Sequence, residues 1–130
     1  IVDAAMNDLL RPALYDAWHL IKPVVQPKNG CSLEVVDVVG PVCESGDILG
    51  RSRKLPKQTS GDLLAICSVG AYGSVMSSSY NSRPPAAEIL VSEAKSFAIR
   101  PRQTLDKLID QDRLPDWLFY NRDDLLKESR

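Results

Sequence analysis

Apolar residues occur in short runs along the chain, and residues typical of turns separate these runs. Four runs rich in β-branched or other apolar residues predict strands over residues 32–39, 62–68, 87–91 and 95–99. Glycine, asparagine and proline tolerate positive φ or lack a backbone donor, and they indicate turns at residues 28–30, 60–61 and 82–85. This spacing predicts an all-β sandwich or barrel rather than a fold of alternating strands and helices.

Two segments have the features of short helices. Pro12 can occupy the first helical position, and good helix formers follow it as far as residue 18. Thr104 can cap a second helix over residues 104–110, whose apolar residues have helical spacing. We also expect residues 116–130 to form a helix or an ordered arm that docks through its aromatic side chains and frays at its end.

A cluster of basic residues lies between residues 50 and 61. Its members are Arg51, Arg53, Lys54 and Lys57. Clustered positive charge could bind an anion, but charged surface loops are far more common. We therefore interpret this segment as a solvated surface loop.

Length and charge limit the class of protein. A chain of 130 residues can bury one core and is too short for an eight-stranded α/β barrel. Sixteen Lys and Arg against seventeen Asp and Glu give a formal net charge of -1, so no basic excess favours nucleic acid or an anionic membrane. No apolar run approaches the roughly 20 residues that span a bilayer. We expect a soluble domain with neither nucleic acid nor membrane as a partner.

The cysteine and histidine content argues against disulfides and metals. Cys31, Cys43 and Cys67 are odd in number and form no C-x-x-C pair, unlike a disulfide framework or a zinc site. Free thiols fit a reducing compartment, so we expect a cytoplasmic protein. The only histidine, His19, leaves few metal or triad schemes open, and we interpret it as a partly buried, hydrogen-bonded residue.

Cys43 and Glu44 lie together in a turn bounded by glycine and proline. A thiol can give or take a proton near neutral pH, because its ordinary pKa of about 8.5 lies within reach. The adjacent carboxylate can bind an ammonium group. The alternative is a buried, inert cysteine beside a solvated glutamate, since free cysteine is among the most buried residue types.

Three further polar residues are candidates for ligand binding. Arg11 and Tyr15 are four residues apart across a helical turn, so they can share a face and clamp a carboxylate. The alternative is a surface ion pair and a half-buried ring. Tyr72 stands among small residues, where its hydroxyl could meet a phosphate ester or its ring could simply pack a turn. Tyr80 and Asn81 are open to a structural or a functional interpretation.

Five segments, in this order, carry a resemblance to a known family: VDAAMND at residues 2–8, RPALY at 11–15, VGPVCESGD at 39–47, GAY at 70–72 and YNSRPPA at 80–86. Together they resemble the C-terminal β domain of the diaminopimelate decarboxylase family, which consists of fold-type III enzymes dependent on pyridoxal 5'-phosphate. The resemblance implies a mainly β, Greek-key-like barrel or sandwich of the alanine racemase and ornithine decarboxylase type, with one or two short helices. It assigns residues 1–111 to that domain and residues 112–130 to a C-terminal helix or arm packed on it.

The resemblance also implies partners that the chain lacks. An N-terminal α/β barrel carries the lysine that binds pyridoxal phosphate and makes most of the cofactor contacts. A homodimer completes an active site shared between the subunits. The chain begins on Ile1 without Met, so we interpret it as a fragment. None of its seven lysines has an apolar setting that would favour bonding to the cofactor, so the chain alone should be inactive.

The same resemblance implies a role for each candidate residue. Arg11 and Tyr15 bind the distal carboxylate of the substrate. Cys43 is the proton donor and Glu44 holds the distal ammonium group, both in the active site of the other subunit. Tyr72 contacts the cofactor and the substrate.

The implied reaction converts meso-2,6-diaminopimelate to L-lysine and CO2, the last step of lysine biosynthesis. Arg11 and Glu44 offer the two charges that the distal end of this substrate requires, whereas a plain diamine requires only an acid. Two alternatives remain. One is a related pyridoxal-phosphate-dependent decarboxylase of another diamine or of carboxynorspermidine, and the other is a non-catalytic β-barrel interaction module of the same family.

Overall fold

The computed structural model describes residues 1–27, 30–115 and 117 of the chain. Most of the regular structure is β-strand, in the segments β1 Ile21–Pro23, β2 Leu33–Val39, β3 Ile48–Pro56, β4 Leu64–Ile66, β5 Glu88–Ser92 and β6 Lys95–Arg100. The strands pair antiparallel in three two-stranded sheets, β1 with β4, β2 with β3 and β5 with β6. The mainly β prediction and the four predicted strands are confirmed. Within the described residues, the sheets do not close into a barrel.

Short helices lie before, between and after the strands: α1 Arg11–Tyr15, α2 Gly70–Val75, a 3-10 turn at Tyr80–Ser82, and α3 Leu105–Ile109. Pro12 lies in the first turn of α1, as predicted, and the helix ends at Asp16, whose φ of 54° is left-handed. Thr104 caps α3, as predicted, because its side-chain oxygen accepts a hydrogen bond from the backbone of Lys107 at 3.3 Å. The sequence did not predict α2, since two glycines in its six residues mask a helical pattern.

Two predictions fall at least partly outside the described residues. The turn predicted at residues 28–30 includes residues 28 and 29, which are not described. The predicted arm at residues 116–130 is described only at Trp117, whose side chain is 71% exposed. Both remain predictions, as does the packing of residues 112–130 on the domain.

The interpretation of residues 50–61 as a solvated loop is wrong for the first half of the segment, which belongs to β3. Lys54 pairs with Val35 of β2, and burial alternates along β3, with Arg53 and Leu55 buried and Lys54 exposed. The guanidinium of Arg53 covers the ring of Trp18, 4.7 Å from the ring centroid. Pairing with β2 places Arg53 in the strand and the cation–π contact gives its guanidinium a partner, while its buried Nε has no hydrogen-bond partner among the described residues.

The core of the described residues is small and lies around the β2–β3 pair. Its buried apolar side chains are Leu9, Ile21, Val38, Leu49 and Leu55. Leu9 ties the segment before α1 to this core, and the backbone of Val2 donates to the carbonyl of Val39 at 2.9 Å. α1 packs against β3. The N-terminal segment, α1 and the β2–β3 turn are therefore held in fixed relative positions.

The β5–β6 hairpin exposes much of its apolar surface. More than half of each of these side chains is exposed: Ile89, Leu90, Val91, Phe97 and Ile99. The hairpin is joined to α2 by polar contacts, in which Arg100 forms an ion pair with Glu88 and donates to the hydroxyl of Ser74 at 2.8 Å. Ser74 also donates to Glu88. The hairpin and the helix therefore form one unit.

His19 is more buried than the sequence indicated, at 4% exposure. Its Nδ1 lies 3.2 Å from the carbonyl oxygen of Cys67, while its Nε2 has no hydrogen-bond partner among the described residues. The described residues contain no group of three or more His, Cys, Asp and Glu side chains able to hold a metal ion. They also contain no helix with the length and apolar character needed to cross a bilayer.

Candidate functional site

Asp47 fixes the turn between β2 and β3. Its side chain is 3% exposed, and its two carboxylate oxygens accept hydrogen bonds from the backbone amides of Met6 at 2.7 Å and Val42 at 2.8 Å. The Asp47 carbonyl accepts from the amide of Gly40 at 3.1 Å. A Cβ on Gly40 would lie 2.7 Å from the carbonyl oxygen of Ala4 and would also clash with the carboxylate of Asp47. Only glycine therefore fits beside this buried carboxylate.

This anchoring leaves the tip of the turn in solvent. The thiol of Cys43 is free and exposed, so the alternative of a buried, inert cysteine is wrong. Glu44 is also exposed, and its Oε1 accepts hydrogen bonds from the amide of Gly46 at 3.1 Å and the hydroxyl of Ser45 at 3.4 Å. These bonds orient the carboxylate and leave its second oxygen for another partner.

The 3-10 turn at Tyr80–Ser82 meets the Cys43 turn, a contact that sequence reasoning missed. The hydroxyl of Tyr80 donates to Oε2 of Glu44 at 3.4 Å, and the side-chain amide of Asn81 donates to Sγ of Cys43 at 3.5 Å. The negative charge of Glu44 raises the pKa of Tyr80, and desolvation and the hydrogen bond act in the same direction. The phenol therefore stays a hydrogen-bond donor at neutral pH.

Arg83 ties this 3-10 turn to the N-terminal segment. Its Nε donates to Oδ1 of Asn7 at 3.0 Å, and its Nη2 lies 3.8 Å from the carboxylate of Asp8 and donates to the carbonyl of Asp3. Asn7 is 2% exposed, and its carbonyl accepts from the amide of Ser78 at 2.9 Å. Both ends of the turn are thus attached to the same buried asparagine.

Arg11 and Tyr72 form a second group. The guanidinium of Arg11, at the start of α1, lies 5.6 Å from the ring centroid of Tyr72 in α2, within the range of a cation–π contact. Tyr72 is 65% exposed and Tyr15 is 61% exposed at the end of α1. The contact of Arg11 is therefore with Tyr72, and the structure records no hydrogen bond between Arg11 and Tyr15 among the described residues.

The Arg11–Tyr72 contact and the Cys43–Glu44 turn form two separate groups of side chains. No hydrogen bond or ion pair joins Arg11 or Tyr72 to Cys43 or Glu44 within the described part of the chain. Leu10, next to Arg11 in the chain, shares a surface cavity of about 230 Å³ with Glu44 and Tyr80. Glu44 thus borders a small open cavity next to the segment before α1.

The described residues fit a partial contact with a phosphate-bearing cofactor. The Tyr72 phenol is exposed and can donate a hydrogen bond to a group outside the chain. The five described lysines, Lys22, Lys54, Lys57, Lys95 and Lys107, are all exposed. None lies in the buried, apolar setting typical of a lysine that bonds covalently to a carbonyl. A cofactor at this surface would therefore not take its covalent anchor from these five lysines.

Comparison with known proteins identifies the class. Residues 1–70 match the family described as pyridoxal-dependent decarboxylase, C-terminal sheet domain, and the chain belongs to this family. It is similar to diaminopimelate decarboxylase from Archaeoglobus fulgidus, with 50% identity over 118 residues that make up 91% of this chain and 28% of the relative. The corresponding protein from Vibrio cholerae is 53% identical over 108 residues, 83% of this chain and 25% of the relative.

Solved structures give the same result. Diaminopimelate decarboxylase from M. jannaschii in co-complex with L-lysine matches with a TM-score of 0.82 and 45% identity, over 90% of this chain and 26% of that one. The enzyme from Helicobacter pylori complexed with L-lysine matches with a TM-score of 0.77 and 46% identity, over 85% of this chain and 27% of that one. The chain thus spans about a quarter of the length of the proteins it matches.

Proposed function

We propose that this chain is the β domain of a diaminopimelate decarboxylase, which converts meso-2,6-diaminopimelate to L-lysine and CO2. The observation that carries the proposal is the identity of about half its residues to proteins of that name, over most of the chain. Two similar structures contain L-lysine, which is the expected product. The exposed positions of Cys43, Glu44, Arg11 and Tyr72 support a site that opens outward, toward material outside this chain.

The remainder of the active site would come from an N-terminal α/β barrel and from a second subunit. The barrel would supply the lysine that binds pyridoxal phosphate, because the described lysines are all exposed. The exposed tip of the Cys43 turn supports a homodimer in which that tip reaches the site of the other subunit. A reducing cytoplasm suits the three free thiols, so we propose that the protein works there.

Each site residue has a role in this proposal. Arg11 and Tyr15 bind the distal carboxylate, Glu44 holds the distal ammonium group, Tyr72 contacts the cofactor and substrate, and Cys43 donates a proton. Bound pyridoxal phosphate supplies the electron sink that lets the bond from Cα to the carboxylate break. The contact between Arg11 and Tyr72 supports this arrangement, since it would bring the carboxylate-binding group beside the cofactor-binding one.

The pairing of Arg11 with Glu44 favours diaminopimelate over the alternative substrates. The distal end of meso-diaminopimelate bears both a carboxylate and an ammonium group, which the guanidinium of Arg11 and the carboxylate of Glu44 would match in charge. A decarboxylase of ornithine or lysine meets only an ammonium group at that end, which an arginine would repel. A non-catalytic module of the same family would not require either charge.

Arg11→Ala in the complete polypeptide tests this substrate assignment. We expect kcat/KM for meso-diaminopimelate to fall about 10- to 150-fold, because a charge-assisted contact to the distal carboxylate is lost. Inhibition by L-lysine, which keeps that carboxylate, should weaken by a similar factor. Inhibition by cadaverine, which lacks it, should change little.

Arg102→Ala is the matched control, since Arg102 is an exposed arginine in the loop before α3. This variant should leave kcat/KM for meso-diaminopimelate and the inhibition by L-lysine and by cadaverine unchanged. If Arg11→Ala weakens inhibition by cadaverine as much as inhibition by L-lysine, Arg11 does not bind the distal carboxylate. The argument for this substrate is then lost.

A further inference from the structure

Each residue of the Tyr80–Asn81 pair donates a hydrogen bond to one residue of the Cys43–Glu44 pair. Tyr80 donates to Glu44 and Asn81 donates to Cys43, so two adjacent donors hold two adjacent acceptors. Both acceptors are exposed, and exposed side chains sample several rotamers unless a partner restricts them. Two parallel contacts therefore restrict the thiol and the carboxylate together.

We propose that Asn81 is a positioning residue that orients the Cys43 thiol through its side-chain amide and stabilises the thiolate formed there, while Tyr80 orients Glu44. This inference rests on the proposed function, because it takes Cys43 as the proton donor. It assigns a role to the two residues whose meaning the sequence left open.

The backbone of the turn supports a built contact. Asn81 and Ser82 have φ of 56° and 55°, in the left-handed region that non-glycine residues seldom occupy. Such a conformation is strained for most residues with a side chain and is kept where the surroundings favour it. Here Arg83 supplies that restraint, because it attaches the turn to Asn7 and Asp8. The left-handed backbone of Asn81 is the one in which its amide reaches Sγ of Cys43.

The chemistry of a proton donor explains the use of an amide at this position. When the S–H bond of Cys43 breaks, the proton goes to the carbon from which CO2 has left, and sulfur keeps the electron pair as a thiolate. An N–H donor already aimed at sulfur interacts more strongly with the thiolate than with the thiol. Asn81 therefore favours proton transfer without contacting the substrate, in the manner of a preorganised dipole.

Tyr80 has the corresponding role at Glu44. Its hydroxyl contacts Oε2, while the Gly46 amide and the Ser45 hydroxyl contact Oε1. The carboxylate is thus held from both oxygens, with its remaining lone pairs available for an ammonium group. Since the charge of Glu44 raises the pKa of Tyr80, the phenol remains a donor throughout the neutral range.

The test uses the complete polypeptide and three variants. Asn81→Gly keeps the left-handed backbone and removes the amide, Asn81→Asp keeps the shape and replaces the donor by a charged acceptor, and Tyr80→Phe removes only a hydroxyl. Glu93→Gly is the matched control, because Glu93 has a φ of 54° in the exposed β5–β6 turn, outside both turns of this site. The first readout is the rate of Cys43 alkylation by iodoacetamide, followed by peptide mass spectrometry without substrate.

We expect Asn81→Gly to slow alkylation of Cys43 about fivefold, the effect of losing one hydrogen bond to the thiolate. Asn81→Asp should slow it further, because a nearby carboxylate disfavours the thiolate. In steady-state kinetics both variants should lower kcat with little change in KM. Tyr80→Phe should raise KM about threefold and leave kcat nearly unchanged. Glu93→Gly should behave like the wild type in every readout.

Wild-type or faster alkylation of Cys43 in Asn81→Gly overturns the positioning role, whatever the activity of that variant. The alkylation readout does not depend on the substrate. Slower alkylation in a protein that does not decarboxylate meso-diaminopimelate would therefore refute the proposed function and leave the contact between Asn81 and Cys43 supported. Normal alkylation of Cys43 in an active decarboxylase would refute the role of Asn81 and leave the proposed function supported.

Discussion

Cys43→Ala in the complete polypeptide is expected to lower kcat for meso-diaminopimelate by about 10²- to 10⁴-fold, the usual contribution of a positioned acid or base. KM should change little, because the thiol is not assigned to substrate binding. The free energy of unfolding should stay near the wild-type value, since the Cys43 side chain is exposed and alanine leaves no cavity there. The measurement is steady-state release of CO2, with circular dichroism as a check on folding.

Cys43→Ser separates acidity from shape. A hydroxyl can accept the bond from Asn81 but is a far weaker acid than a thiol, so this variant should be nearly as slow as Cys43→Ala. Activity within about threefold of wild type in either variant would contradict the role of Cys43 as proton donor.

Cys43→Ala also tests whether the thiol acts across the subunit interface. Mixing Cys43→Ala with a variant that lacks the cofactor-binding lysine should restore activity, because each mixed dimer then contains one intact site. Random pairing limits the recovery to roughly a quarter of the wild-type activity. Subunits that each complete their own site would show no recovery after mixing.

Asp47→Ala should give the largest loss of stability of any single change at this site. The side chain is 3% exposed and accepts from two backbone amides, those of Met6 and Val42. Bonds to a charged acceptor contribute about 1.5–3 kcal/mol each, so the loss should be about 3–6 kcal/mol. The amides would be left without partners, and the Cys43 turn would separate from the N-terminal segment. Urea unfolding of the complete polypeptide measures this change.

Asp37→Ala is the control for Asp47→Ala. Asp37 also accepts from one backbone amide, that of Ser52 at 2.7 Å, but it is exposed, so water replaces the lost partner. Its cost should be about 1 kcal/mol or less. Asp47→Asn should be intermediate, because an amide keeps one acceptor oxygen and turns an NH2 group toward a backbone donor. Equal destabilisation by the two alanine variants would show that Asp47 does not anchor the turn.

Local signals in the sequence predicted much of the fold. Alternation and β-branched residues were sufficient for β2, and a threonine cap followed by apolar residues at helical spacing was sufficient for α3. β3 was not predicted, because its basic residues are typical of a surface loop. Arg53 is buried by pairing with β2 and by the ring of Trp18, which are distant in sequence, and its side chain lies against Gly50.

The candidate site was predicted in its residues more than in its contacts. The Gly/Pro-bounded turn indicated Cys43 and Glu44 as candidate site residues, and both are exposed in the structure. Arg11 was paired with Tyr15 from helical spacing, yet its contact is with Tyr72, on a helix that the glycines concealed. The role of Asn81 depends on a left-handed φ and on a bond from Arg83 to Asn7 across 76 residues. The only sequence signal was an asparagine, which tolerates that conformation.

The most direct measurement of the central claim is a decarboxylation assay of the complete polypeptide with pyridoxal phosphate. Four substrates are compared at equal concentrations: meso-diaminopimelate, L-ornithine, L-lysine and carboxynorspermidine. The account predicts CO2 and L-lysine from meso-diaminopimelate, with kcat/KM at least about 100-fold above the other three, because only this substrate matches both Arg11 and Glu44. Equal or greater activity on one of the others, or no decarboxylation of any of them, would contradict it.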